Sequence, residues 1–286
     1  LLARIRRIEL HAKRLVANAF VGDYHSVFRG RGIEFSEVRP YEPGDDVRAI
    51  DWNVTARMGS PYIKQYVEER ELTVLLAIDL SASSDVASVE LTKRELAAEV
   101  AATLAFSAVA NDDRVGLIAF TDRVESFIPP AKGRRHVLHI VRELLSARPC
   151  GRGTDIAAAL TYLSRVSHRR ALVFLLSDFF DEGYETPLRA AARRHDVVAV
   201  TLNDPRESQL PDAGLVELQD PETGVRMLVD SSSWAVRRGY ARRADATRES
   251  RRRMFAAAGI DAIELSTDAP YAEPLLRGLR LRDRRR

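Results

Sequence analysis

At residue 72 the hydrophobic pattern of the chain changes. LTVLLAIDLS is a continuous apolar run that ends in polar residues, which predicts a strand buried on both faces of a parallel sheet. A long Ala-, Leu- and Glu-rich segment at about 89–110 predicts a helix, and VGLIAF (115–120) and RVESFI (123–128) predict two strands close together. A helix near 136–147 follows, then a second one starting at Thr154-Asp155, and RALVFLLSDFF (170–180) is a second buried strand. A short helix near Leu188, the strand DVVAVTLN (196–203), a hairpin between 214 and 229, an Arg-rich helix at about 234–257, the strand IDAIEL (260–265) and a terminal helix complete the order. Strands alternating with helices at this spacing predict an α/β fold: a doubly wound, mostly parallel, Rossmann-like sheet flanked by helices.

Upstream of residue 72 the texture differs. Residues 1–20 place Leu1, Ile5, Ile8, Leu15 and Ala19 at mostly helical spacing between basic residues, an amphipathic helix expected to pack on its own domain rather than on a membrane. From Gly22 to Glu71, turn residues separate short alternating pieces, Ile33 to Phe35, Val47 to Trp52 and Tyr62 to Val67, each expected to be a strand. The expected organisation is therefore an N-terminal helix and β-rich clasp over 1–71 and a sheet domain over 72–286 with a hairpin insertion near 204–230. In the clasp, Arg39, Asp45, Asp46, Arg48 and Asp51 are expected to pair with one another while Trp52 and Phe35 pack on the sheet domain, the alternative being that these residues form a partner surface.

Composition narrows the function. A chain of 286 residues, 45% hydrophobic and 30% charged, fits one large domain or a domain with an elaboration. With Cys150 alone there is no internal disulfide and no thiolate metal cluster, so a reducing compartment is the expectation. No apolar run reaches the roughly 20 residues a spanning helix needs, and Glu99, Thr103 and Ser107 interrupt the best candidate. A cytoplasmic protein with no transmembrane segment is expected, although the chain opens on Leu1 rather than Met and leaves an upstream segment open. Of the 44 basic residues only four are lysine, and 41 acidic residues balance them to a net +3, too weak a field to imply nucleic acid.

In doubly wound sheets ligands bind beyond the carboxyl ends of the strands. After the first apolar run stands Asp79-Leu80-Ser81-Ala82-Ser83, after the second Ser177-Asp178, and before a helix Gly151-Arg152-Gly153-Thr154-Asp155. Two carboxylates and three hydroxyls converging at one sheet edge make an all-oxygen cage, suited to a hard cation such as Mg²⁺ or Mn²⁺ rather than to zinc. A metal held mostly by neutral hydroxyls keeps its Lewis acidity and can accept one further carboxylate from a partner.

Asp79, Ser81, Ser83, Thr154 and Asp178 resemble the metal-ion-dependent adhesion site of von Willebrand factor type A domains. The resemblance implies Asp79, Ser81, Ser83 and Thr154 as metal ligands, Asp178 as a direct or water-mediated one, Mg²⁺ (or Mn²⁺ or Ca²⁺) as the cation, and an acidic side chain of a partner in the open position. The upstream pieces GRGIEF (30–35), RPY (39–41), PGDDVR (43–48) and IDW (50–52), with the late GID and LSTD-PY pieces, resemble the bacterial domain of unknown function 58 family. That resemblance implies a partner of a MoxR-type AAA+ ATPase in chaperone-like assembly or maturation of client proteins, a metal-dependent interaction module and not an enzyme.

The competing enzymatic reading makes Asp79 a phosphoryl acceptor in a phosphoester hydrolase. Such an enzyme commonly carries a second Asp two residues on, where Ser81 stands, and the chain has no G-x-S-x-G elbow and no Walker A motif. His136 and His139 lack a third ligand, and the arginine stripe on the late helix is expected to be a solvated face with Asp245 and Glu249 as local partners.

Overall fold

The computed structural model describes residues 2–17, 34–67 and 71–283. The turn glycines at 30 and 32, Ile33 and the arginines at 284–286 lie outside the described residues. Contacts divide the chain into Leu1–Val27 with Thr73–Arg286, and Phe28–Leu72.

The N-terminal helix α1 (Leu2–Leu15) buries Ile5, Ile8 and Ala12, the apolar stripe its spacing predicts. It packs on the helices Lys93–Ala110 and Arg134–Ser146. Glu9 is paired there with Lys13 at 2.8 Å and Arg134 at 2.5 Å, and both cations hold its carboxyl below the ordinary value against the opposing effect of burial. The expected grouping of this helix with the clasp is therefore corrected: its stripe belongs to the sheet unit.

In the small unit, β1 (Glu34–Pro40) pairs antiparallel with β2 (Tyr62–Val67), with a bulge between Phe35 and Glu37. The Arg39 guanidinium grips Asp45 with two bonds, 2.7 and 2.9 Å, one of the ion pairs expected for a clasp. Val47 to Trp52, expected as a strand, is instead a helical turn at Val47–Ala49 followed by α2 (Trp52–Met58), with Ile50 bridged to Ile63 between them. Asp46 and Asp51 are the cause. The Asp46 carboxylate accepts the Arg48 N–H, and Asp51 accepts those of Asn53 and Val54, as N-caps do. Gly59 closes α2 at φ 74°, a left-handed position that suits glycine.

The large unit continues with β3 (Thr73–Asp79), α3 (Lys93–Ala110), β4 (Arg114–Phe120), β5 (Val124–Ala131), α4 (Arg134–Ser146), α5 (Ile156–Val166), β6 (Leu172–Ser177), α6 (Glu185–Arg194) and β7 (Asp196–Asn203). After a helical turn at Pro205–Ser208 come β8 (Leu215–Gln219), β9 (Arg226–Asp230), α7 (Trp234–Ala257), β10 (Asp261–Ser266) and α8 (Ala272–Asp283). Six strands form one sheet in the order β10-β7-β6-β3-β4-β5, parallel except for the edge strand β5. Among the described residues, strands β8 and β9 pair with each other and with no other strand, as the expected hairpin.

Central position explains the unbroken apolar runs. β3 lies between β4 and β6, and six of its seven residues are buried. One sheet face, with Leu75, Ala77, Val173 and Leu175, forms a core with Leu160, Leu163 and Phe255 from α5 and α7. α3 is apolar nearly all round because it is covered nearly all round, by β3, β4 and β7 and by α1 and α4. It starts later than expected because Thr92 and Glu95 form a capping box that fixes the first turn. Among the described residues no helix is long and apolar enough to cross a membrane.

Away from the strand ends, His195 caps α6. It is 1% exposed, its Nδ1 accepts the Ala171 N–H at 3.4 Å, and Nε2 has no partner. Burial, with Arg194 and Arg170 nearby, lowers its pKa, so the folded chain keeps it neutral. The unfolded chain takes a proton as pH falls through about 6.5 and the folded one does not. The stability advantage of wild type over His195→Gln is expected to shrink between about pH 7.5 and about pH 5.5, as read by urea unfolding at both values.

Candidate functional site

The sheet's order reverses direction at β3. The chain leaves β3 for β4 and β5 on one side, then crosses to β6 on the other. The carboxyl ends of β3 and β6 therefore flank a topological switch point, where the crevice of an open sheet lies. Asp79 ends β3 and Asp178 follows the last residue of β6, so the two carboxylates predicted from sequence stand on adjacent strands.

Both are almost completely buried, Asp79 at 1% and Asp178 at 3% exposure. Asp79 Oδ1 accepts the Ser81 N–H at 2.8 Å, and Oδ2 accepts the Ser177 hydroxyl at 2.6 Å. Ser81 and Ser83 share a hydrogen bond of 3.0 Å between their hydroxyls, and Ser83 Oγ donates to Asp178 Oδ2 at 2.9 Å. A continuous chain thus runs from Ser81 through Ser83 to Asp178. Burial, and then the Asp178 charge, raise the Asp79 carboxyl to about 7 despite the bonds from Ser177 and Ser81.

The turn after Asp178 is strained. Phe179 has φ 58°, a left-handed value costing a bulky residue about 1–3 kcal/mol. Its ring is held by Phe255 at 5.0 Å and Tyr184 at 5.9 Å, and its N–H donates to Ser177 Oγ at 2.9 Å. Core packing therefore fixes the direction in which Asp178 leaves the sheet.

Thr154 comes from the loop before α5, and that loop is anchored at several points. Glu125 accepts the N–H groups of Cys150 at 3.0 Å and Gly151 at 2.8 Å, and its carboxyl lies below the ordinary value because these bonds outweigh burial. The Asp155 N–H donates to Thr121 O at 2.9 Å, and Ala82 N–H to Arg152 O at 2.8 Å, tying the loop to the segment after β3. A Cβ on Gly151 would stand 2.2 Å from Thr121 Oγ1, so a side chain there is incompatible with this anchoring. Asp155, not Thr154, is the N-cap of α5: it accepts the Ala158 N–H at 2.7 Å. The Thr154 hydroxyl is thereby released from capping, and it donates to Glu222 at 2.8 Å.

Four further residues complete the site. Lys93, in the first turn of α3 and 2% exposed, donates to Asp178 Oδ2 at 2.5 Å and to Glu207 Oε1. Arg251, from the arginine-rich α7, donates to the Asp178 carbonyl at 2.5 Å and is buried. Glu222 lies in the β8–β9 turn, and burial raises its carboxyl against the bond from Thr154. Sequence patterning misses all four. A signal existed only for Lys93: a cation in the first turn of a helix opposes the helix dipole and calls for a nearby anion. Elsewhere on α7, Arg248–Asp245 at 3.8 Å and Arg253–Glu249 at 2.9 Å are the local pairs expected. His136 Nε2 is spent on the Val115 carbonyl, at 2.8 Å.

A sheet of this order, with its polar residues gathered at the switch point, defines a doubly wound, mostly parallel α/β protein. BatB from Bacteroides thetaiotaomicron shares the fold with a TM-score of 0.51, over 74% of this chain and 99% of that one, at 17% identity. The family model described as protein of unknown function DUF58 matches residues 37–250, and the chain belongs to that family. It is 36% identical over 280 residues to the uncharacterized protein Rv1480 of Mycobacterium tuberculosis, covering 97% of this chain and 88% of that protein. It is 24% identical over 194 residues to YeaD of Bacillus subtilis, covering 68% of this chain and 46% of YeaD.

Proposed function

We propose that the protein is a metal-dependent protein-interaction module, in which Asp79, Ser81, Ser83, Thr154 and Asp178 hold a divalent cation that takes an acidic side chain of a partner. The observation that carries the reading is the Ser81–Ser83–Asp178 hydroxyl chain lying against a buried Asp79 at the switch point. Every donor in that set is oxygen, which suits Mg²⁺, Mn²⁺ or Ca²⁺. Among the described residues no trio of His, Cys, Asp or Glu side chains is gathered to chelate an ion without hydroxyls. The charge around the site favours a cation as well: the carboxylates of Asp79, Asp178, Glu207 and Glu222 are gathered there, with Lys93 bonded to Asp178 and Glu207 and Arg251 to the Asp178 carbonyl. A carboxyl raised by burial and a like charge, as Asp79 is, becomes a better ligand when a cation removes the repulsion.

When bound, the cation supplies an electrophilic position for a carboxylate. The chain's own residues set its environment: Ser177 orients Asp79, Lys93 and Arg251 fix Asp178, and Glu125 fixes the Thr154 loop. No nucleophile with an adjacent base and orienting group accompanies these residues among those described, which supports interaction over phosphoester hydrolysis. The family resemblance points to a MoxR-type AAA+ ATPase, or its client, as the source of the carboxylate, in the cytoplasm. Binding of a MoxR-type ATPase from the same genome is expected to require Mg²⁺ and to be lost in Asp79→Ala. Equal affinity in EDTA and in Asp79→Ala would sink the reading.

A further inference from the structure

The β8–β9 hairpin is built as a separate piece. Among the described residues its strands pair with no other strand, and Leu215, Met227 and Leu228 are exposed along it. A two-stranded ribbon of this length has marginal stability of its own, so its position depends on what holds its ends. The base is tied by Ser231, whose N–H and hydroxyl both donate to Gly214 O at 2.8 Å. The tip is shaped by Asp220: its carboxylate accepts the Glu222 N–H at 2.9 Å and the Thr223 hydroxyl at 2.6 Å, and Gly224 turns at φ 74°.

That tip docks on the switch-point edge. Arg152 donates to the Pro221 carbonyl at 3.0 Å, and Thr154 donates to Glu222 Oε1 at 2.8 Å. An acid from the hairpin tip thus engages the Thr154 hydroxyl of the proposed cation site. A hairpin turn in water has no need of a half-buried carboxylate, and desolvating one is unfavourable unless a hydrogen-bonded receptor is waiting for it.

We propose that Glu222 is an internal stand-in for the acidic ligand, and that the hairpin tip is a plug which a partner's carboxylate displaces. The inference rests on the cation reading above and deepens it. An acidic partner then competes with a tethered acid of the same chemistry, so its apparent affinity is reduced by the fraction of chains with the tip docked. Release of the tip frees the Thr154 hydroxyl and detaches a hairpin whose exposed apolar residues are already at the surface.

The test uses Mn²⁺ as the metal, with water-proton relaxation reporting exchangeable water on the bound ion and acetate as the carboxylate probe. Wild type is expected to bind Mn²⁺ with little relaxation enhancement and no response to acetate. Glu222→Gln is expected to bind it roughly tenfold more weakly, to show a larger enhancement per bound ion, and to lose that enhancement when acetate is added. If Glu222→Gln matches wild type in affinity, enhancement and acetate response while Asp79→Ala loses the ion, the cation site stands and the plug is refuted. If neither wild type nor Glu222→Gln binds Mn²⁺, the cation reading and the plug fall together.

Discussion

Replacing Lys93 with methionine is expected to destabilise the folded protein by roughly 3–5 kcal/mol in the absence of added metal. The ammonium group is 2% exposed and is shared between Asp178 Oδ2 and Glu207 Oε1, on two different segments of the sheet unit. Burial would push the amine down, but the Asp178 and Glu207 carboxylates outweigh it and hold it above the ordinary lysine value, so it stays charged at neutral pH. Methionine keeps the stem's volume and removes the charge, leaving carboxylates buried without compensation. Urea unfolding of wild type, Lys93→Met, Asp178→Asn and the double variant checks this, with the double variant expected to be less damaged than the two single losses added together. Additive losses would mean that the ion pair is not coupled as the geometry requires.

The second large effect has opposite signs in two measurements. Asp79→Asn keeps the shape of a side chain that accepts from Ser81 N–H and Ser177 Oγ, and removes its charge. Because burial and Asp178 raise the native carboxyl to about 7, the folded state holds a proton there that the unfolded state has already released. The stability that Asp79 contributes to metal-free protein is therefore lost as pH rises from about 4 through 7, and wild type is expected to lose ground to Asp79→Asn over that range. Affinity for Mg²⁺ or Mn²⁺ is expected to fall by roughly a hundredfold or more, since a charged ligand disappears from a mostly neutral set. A variant at least as stable as wild type without metal, yet unable to bind metal, separates a ligand role from a structural one.

Residues differ in how far their sequence context reveals their place, and the reason is physical. Asp79 and Asp178 were legible because each ends a run buried on both faces, and such runs admit a polar residue only where the strand leaves the sheet. The arginine-rich α7 was legible as a helix from Trp234 to Ala257, but not as the source of Arg251 beneath Asp178. Alternating apolar residues at 47–52 predict a strand, but the capping bonds of Asp46 and Asp51 decide the local conformation and make it helical. The amphipathic character of α1 is legible, yet periodicity does not say which surface a stripe will cover, and Glu9 and Arg134 settle that through a contact distant in sequence. Glu222 left no trace in the sequence. Its role comes from a hairpin folding back over the loop of Thr154, and no local pattern encodes such docking.

Calorimetric titration of Mg²⁺ or Mn²⁺ into metal-free protein, with Asp79→Asn alongside wild type, tests the central claim most directly. One cation bound per wild-type chain, and none detectable in an Asp79→Asn protein that is folded, is the predicted result. Binding to both proteins with the same affinity, or to neither, would contradict it.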